Sequence, residues 1–166
     1  MKTILSNKLP RIIRNKKRLE EKLDVKITNK GKEIFINGKS TDEYIAEKII
    51  DALNFGFPFS TAMLIKEADF IFEIINIKDY TKRKDLKRIK ARIIGKGGRT
   101  LQTLNQLTKC HFELKDNQVG IIGPPEHLAN GQEAVISIIK GAKQSNVYSF
   151  LEKHQVKSII DLGLKQ

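Results

Sequence analysis

Arg92-Ile93-Ile94-Gly95-Lys96-Gly97-Gly98-Arg99-Thr100-Leu101-Gln102-Thr103-Leu104 is the stretch that decides the fold. Leu101, Leu104 and Leu107 recur at helical spacing, which predicts a helix near 98–108. Gly95 and Gly98 sit just in front of it, where a missing Cβ lets the backbone approach a ligand closely. A loop that opens a helix aims free N–H groups and the positive helix end at whatever lies there, so it suits a phosphate chain. Lys96 and Arg99 add cationic heads. In isolation such a loop is as well explained by a tight turn between two helices. The sequence on either side favours the binding loop.

Upstream, residues 81–100 carry nine cationic residues against the single acid Asp85, a net of +8. A charge run is often only a solvated face, but this one leads straight into the glycine loop. The whole chain of 166 residues has a net charge of +12 and a pI of about 9.8. A chain this basic calls for an anionic partner, nucleic acid first and an anionic membrane surface second. Charged residues at 30% and hydrophobic residues at 40% describe a globular chain.

Downstream, an alternating strand is expected at 110–114, a turn at Asp116-Asn117, a second strand at 118–122 closed by Gly123, and a long helix near 126–140 opened by Pro124-Pro125. The same order stands earlier in the chain. A shift of 85 residues superposes Val25 and Ile27 on Cys110 and Phe112, Ile34 and Ile36 on Val119 and Ile121, Gly38 on Gly123, and Gly56 on Gly141. The first copy therefore predicts a helix near 14–23, strands at 25–28 and 33–37 about a turn Asn29-Lys30-Gly31, and a helix near 41–54. Ser40 and Glu43 read as a capping box for that helix. Short helices near 60–66 and 145–153 end the copies, and a boundary falls near 66–68. The second copy adds a strand at 69–77 and a basic helix at 82–94. This is an α+β architecture in two small units.

Ile94-Gly95-Lys96-Gly97-Gly98-Arg99-Thr100-Leu101 resembles the KH signature Ile-Gly-x-x-Gly-x-x-Ile, with leucine at the last place. The resemblance implies two tandem type I KH-like domains, each a small sheet packed on helices. Residues 1–67 would form a degenerate domain without Gly-x-x-Gly, and 68–166 the domain that carries the loop. It implies a loop that clamps about four single-stranded nucleotides, with bases in an apolar groove between the following helix and strand 110–114. The RNA-binding set it implies is Arg88, Arg92, Ile94, Gly95, Lys96, Gly97, Gly98, Arg99 and Thr100. The first copy has no matching glycine pair, because the 85-residue offset brings Pro10-Arg11-Ile12-Ile13 to the loop. Its Arg11, Arg14, Lys16, Lys17 and Arg18 remain available for nonspecific phosphate contacts.

The double layout, the segment Leu86-Lys87-Arg88-Ile89-Lys90-Ala91-Arg92-Ile93-Ile94-Gly95-Lys96-Gly97-Gly98 and the ending Val147-Tyr148-Ser149-Phe150-Leu151-Glu152 look like the partner-of-Nob-one family of ribosomal RNA processing factors, in its short archaeal form. That likeness implies a non-catalytic factor of small ribosomal subunit biogenesis. Such a factor holds the 3′ end of precursor small-subunit rRNA as single-stranded RNA and contacts an rRNA-processing endonuclease of the Nob-one type. The alternative is a general KH protein acting on mRNA or in RNA degradation.

Other motifs are weaker. Asn37-Gly38-Lys39-Ser40-Thr41 has part of a nucleotide-binding P-loop, but Glu33 stands where its first glycine belongs. His111, His127 and His154 lack metal-ligand spacing, so no metal or other cofactor is expected. Cys110 is the only cysteine, which excludes an internal disulfide. Apolar stretches are too short for a membrane span, and a cytoplasmic setting is expected.

Overall fold

The short apolar runs within 33–37 and 118–122 become the central strands of two small sheets. The structure is a computed structural model, described over residues 1–155. It divides into two units, Met1–Phe72 and the chain from Glu73 onward. The first unit runs β1 (Lys2–Leu5), α1 (Leu9–Leu23), β2 (Lys26–Lys30), β3 (Glu33–Asn37), α2 (Ser40–Phe55) and α3 (Phe59–Glu67). Then come β4 (Ile71–Asn76), a 3-10 turn Ile77–Asp79, α4 (Leu86–Ile94), a second 3-10 turn Lys96–Gly98, and α5 (Arg99–Thr108). The chain continues through β5 (His111–Lys115), β6 (Gln118–Gly123), α6 (Pro125–Ile139) and α7 (Gln144–Lys153). This is the α+β class that the sequence predicts.

The sheets have strand orders β1-β3-β2 and β4-β6-β5. The 85-residue repeat extends to register. Ile27 faces Ile36 across the first hairpin, and Phe112 faces Ile121 across the second. Both hairpins close over two residues, with Gly31 and Asp116 at positive φ. Alternation then sends Ile34 and Ile36, or Val119 and Ile121, into a core. In the second unit that core joins Ile89 and Ile93 of α4, Leu104 of α5, and Val135, Ile138 and Ile139 of α6. Each such fully buried side chain contributes about 1.5–3 kcal/mol through burial.

Three helix starts differ from the sequence reading. The helix expected near 14–23 begins at Leu9, because Pro10 falls in its first turn, where a missing N–H costs nothing. The basic helix expected at 82–94 begins only at Leu86. The Asp85 carboxylate accepts the Arg88 N–H and so fixes its N-terminus. The capping box of α2 does not form. Lys39 is the N-cap, the Glu43 N–H donates to the Lys39 carbonyl (2.8 Å), and the Glu43 carboxylate pairs with the Met1 amino group at 2.8 Å. That partner lies too far away in sequence for a local motif to reveal it.

Candidate nucleic-acid interface

Helix α4 stops at Gly95, whose φ of 77° and ψ of 170° place it in a region open to glycine alone. Its N–H still donates to the Ala91 carbonyl (2.8 Å), so the helix is closed before the chain turns. A Cβ at Gly95 would lie 2.1 Å from the Thr100 Oγ1 and 2.6 Å from the Thr100 nitrogen. The first glycine is thus required twice, by conformation and by contact with the first turn of α5. Gly97 and Gly98 also have positive φ, but a Cβ on either would meet nothing within 4 Å. They face open space.

Helix α5 starts from Gly98, which offers no side chain to cap it. The first N–H groups of α5 therefore lack a side-chain acceptor and carry the positive end of the helix dipole. Lys96 and Arg99 are exposed beside them, and Ile94 leaves an apolar side chain 38% exposed at the loop entrance. Thr100 is buried beneath Gly95. The structure brings Ile94, Gly95, Lys96, Gly97, Gly98, Arg99 and Thr100 together as one exposed, cationic, N–H-rich turn.

Arg88 and Arg92 are not part of that turn. Arg88 lies seven residues before Gly95, about 10 Å along the helix axis. The Arg92 guanidinium donates to the Ile138 carbonyl (3.2 Å) and the Ala142 carbonyl, and its own carbonyl accepts from the Gln144 Nε2 (3.4 Å). Arg92 therefore ties α4 to the turn between α6 and α7. Both arginines line a cleft of about 430 Å³ with Arg83, Lys84, Asp85 and Ile89.

The expected groove between α5 and β5 has Leu101, Leu107, Phe112 and Leu114 half-buried against the core. Asn105 fixes the two elements by donating from Nδ2 to the Cys110 carbonyl (2.7 Å), and Thr108 Oγ1 donates to the Leu104 carbonyl (2.6 Å). Burial pushes the Cys110 thiol up to about 11, so it stays protonated and inert at neutral pH. Burial also lowers the His111 pKa, which favours a neutral imidazole there. Lys90 donates from Nζ to the Asp116 carbonyl (3.2 Å) and braces α4 against the β5–β6 hairpin. Sequence reasoning missed both braces. An asparagine near a helix end gave a faint hint of the first, and nothing signalled the second.

In the first unit, α1 fills the place of the loop. Arg11 donates to the Phe57 carbonyl (2.6 Å), and the Arg18 guanidinium lies 4.0 Å from the Phe59 ring centroid. Of the five cations expected there as phosphate contacts, two are held within the unit, and Arg14, Lys16 and Lys17 make no such contact. Among the described residues no helix is long and apolar enough to cross a membrane.

Comparison with known proteins gives a consistent result. A model of the second KH domain of PNO1-type proteins, described as a eukaryotic type KH-domain (KH-domain type I), matches residues 71–156. A KH domain-containing protein of Methanocaldococcus jannaschii is 30% identical, over 86% of this chain and 66% of its own length. The pre-rRNA-processing protein pno1 of Emericella nidulans is 30% identical, over 80% of this chain and 55% of its own. The chain thus spans between about half and two thirds of these relatives. Among solved structures, Dim2p from Pyrococcus horikoshii OT3 is 25% identical with a TM-score of 0.84, covering 92% of this chain and 98% of that one. The a/eIF2alpha-aDim2p-rRNA complex from the same organism gives 25% identity and 0.83, over 92% of each chain.

Proposed function

The chain belongs to the PNO1-type family of type I KH domains, and from that premise we propose that it is a non-catalytic, cytoplasmic RNA-binding factor of small ribosomal subunit biogenesis. The observation that carries the reading is the loop Gly95-Lys96-Gly97-Gly98, locked on one side by Thr100 and open on the other. One phosphate fits over the uncapped N–H groups of α5, with Lys96 and Arg99 neutralising its neighbours. The bases then turn towards Leu101, Leu107 and Phe112, where a dry, apolar wall favours stacking and contact.

A clamp of about four nucleotides carries too little sequence to find one place in a cell. A fixed neighbour has to supply the rest. The names of the relatives point to precursor rRNA as that neighbourhood, and the Pyrococcus horikoshii complex contains rRNA. We assign the bound segment to the 3′ end of precursor small-subunit rRNA. The first unit, which lacks the glycine loop, is a docking surface for the endonuclease that trims that end.

Ultraviolet crosslinking in cells followed by sequencing of the bound RNA tests this reading. The expected crosslinks cluster near the small-subunit 3′ end through residues 95–100. The protein should co-sediment with precursor subunits and be absent from mature ones. Crosslinks spread over messenger RNA, with normal rRNA ends after depletion, would replace the ribosomal reading with that of a general KH protein.

A further inference from the structure

The geometry points to a second phosphate-binding site in the second unit, built from Arg83, Lys84 and Arg88 beside α4, separate from the glycine loop. The inference deepens the RNA reading above and rests on it. Lys84, Arg88 and Arg92 recur at four-residue spacing and line one cleft of about 430 Å³, together with Arg83. Arg88 and Arg92, like charges four residues apart on α4, repel by about 0.2–0.5 kcal/mol, and Lys84 just before the helix adds to the same field. Here a single acid among the described residues stands against four cations. Asp85 is the one carboxylate in the cleft, and it is engaged in capping α4. Among the described residues Arg83, Lys84 and Arg88 have no ion-pair partner, and all three are exposed.

The cleft also has a fixed floor. Arg92 is held by the Ile138 and Ala142 carbonyls, so its charge stays in place without a further loss of side-chain freedom. The opposite side of the helix is different. There Lys90, two residues from both Arg88 and Arg92 and so about 200° around α4 from each, reaches the β5–β6 hairpin. The RNA that occupies the cleft is therefore backbone flanking the clamped nucleotides, read as charge and not as sequence. The total site on the second unit is longer than four nucleotides.

The test uses the full chain and a single-stranded 12-nucleotide oligouridine, with affinity measured from 50 to 200 mM salt. Four proteins are compared: wild type, Arg83→Gln/Lys84→Gln/Arg88→Gln, Lys96→Asp/Gly97→Asp, and a charge-matched control, Lys26→Gln/Lys30→Gln/Lys32→Gln, on β2 and its turn. Arg92 is kept because it holds the α6–α7 turn. Three lost phosphate contacts should flatten the salt slope of the cleft variant by roughly 2 relative to the control, with an unchanged circular dichroism spectrum. A cleft variant whose slope equals the control's overturns the proposal, and leaves the clamp reading intact if the loop variant has lost affinity. A loop variant of full affinity beside a weakened cleft variant removes the clamp reading and keeps the cleft. Loss of polyglutamate binding in the cleft variant, measured beside wild type, with the RNA slope unaltered, would assign the cleft to an acidic protein partner and overturn the RNA proposal.

Discussion

Helix α1 of the first unit and the α4–loop–α5 segment of the second are two solutions at the same place on one scaffold. After that place the units keep step. Asp24 and Lys109, 85 residues apart, both end a helix in the left-handed conformation, and Gly56 and Gly141 both take a positive φ after α2 and α6. Before it they diverge. In the first unit only Ser6, Asn7 and Lys8 separate β1 from α1, whereas the second inserts a basic segment, α4 and the glycine loop between β4 and α5. Residues 9–13, which the offset sets against 94–98, simply continue the helix backwards.

Charge follows the same division. Residues 1–72 hold 14 basic and 10 acidic residues, a net of +4, and residues 73–166 hold 17 and 9, a net of +8. The cations of α1 are partly spent inside their own unit: Arg11 on a carbonyl, Arg18 on a ring, Lys22 beside Glu67 at 3.7 Å. Lys84, Lys87, Arg88, Lys96 and Arg99 are exposed without ion-pair partners among the described residues. The comparison teaches that, on a sheet of the same strand order, the segment with a loop and an extra helix leaves its cations exposed, whereas the segment without them ties part of its cations into its own unit.

The largest expected effect comes from Gly95→Ala. The new Cβ would sit 2.1 Å from the Thr100 Oγ1 at a backbone conformation that alanine avoids. Strain plus overpacking should cost about 3 kcal/mol or more of stability, visible in urea melts. Gly97→Ala, with open space around it, should cost only about 1–2 kcal/mol. Equal losses for the two would mean that the loop is not locked from one side.

A smaller effect should distinguish the paired glycines at the ends of β3 and β6. A Cβ on Gly123 would come within 2.4 Å of the Cys110 Sγ, whereas on Gly38 it would lie 3.0 Å from the Val25 Cγ1. Alanine at Gly123 should destabilise by about 1–3 kcal/mol, and alanine at Gly38 by less, in the same melts. A reversed order would break the equivalence of the two corners.

The smallest effect tests the first unit as an RNA surface. Arg14→Ala/Lys16→Ala/Lys17→Ala should lower affinity evenly across RNA sequences, with up to roughly 0.7 of salt slope lost per cation. A shift in the preferred sequence would show that the first unit reads bases as well.

Much of this was legible in the sequence, for reasons that particular residues make clear. Strands β3 and β6 were readable because the short apolar runs Ile34-Phe35-Ile36 and Val119-Gly120-Ile121-Ile122 follow a turn and close on Gly38 or Gly123. The glycine loop was readable because its conformational demand is local: Gly95 answers to Thr100, five residues away. The start of α1 was hidden by Pro10, which reads as a breaker until it is seen in the first turn. The role of Arg92 was hidden because its partners, Ile138 and Ala142, are 46 and 50 residues distant. Arg88 and Arg92, expected in the RNA-binding set, lie on the helix before the loop and line the cleft with Arg83 and Lys84.

The central claim is that the second unit's glycine loop is the RNA clamp. Its most direct test is the affinity of Lys96→Asp/Gly97→Asp for single-stranded RNA, measured beside wild type at one salt concentration. Both positions are exposed, and aspartate tolerates the Gly97 conformation (φ 62°, ψ 23°), so helical content should be unchanged. Two negative charges where a phosphate sits should weaken binding by about 1–3 kcal/mol or more. Wild-type affinity in this folded variant would contradict the account.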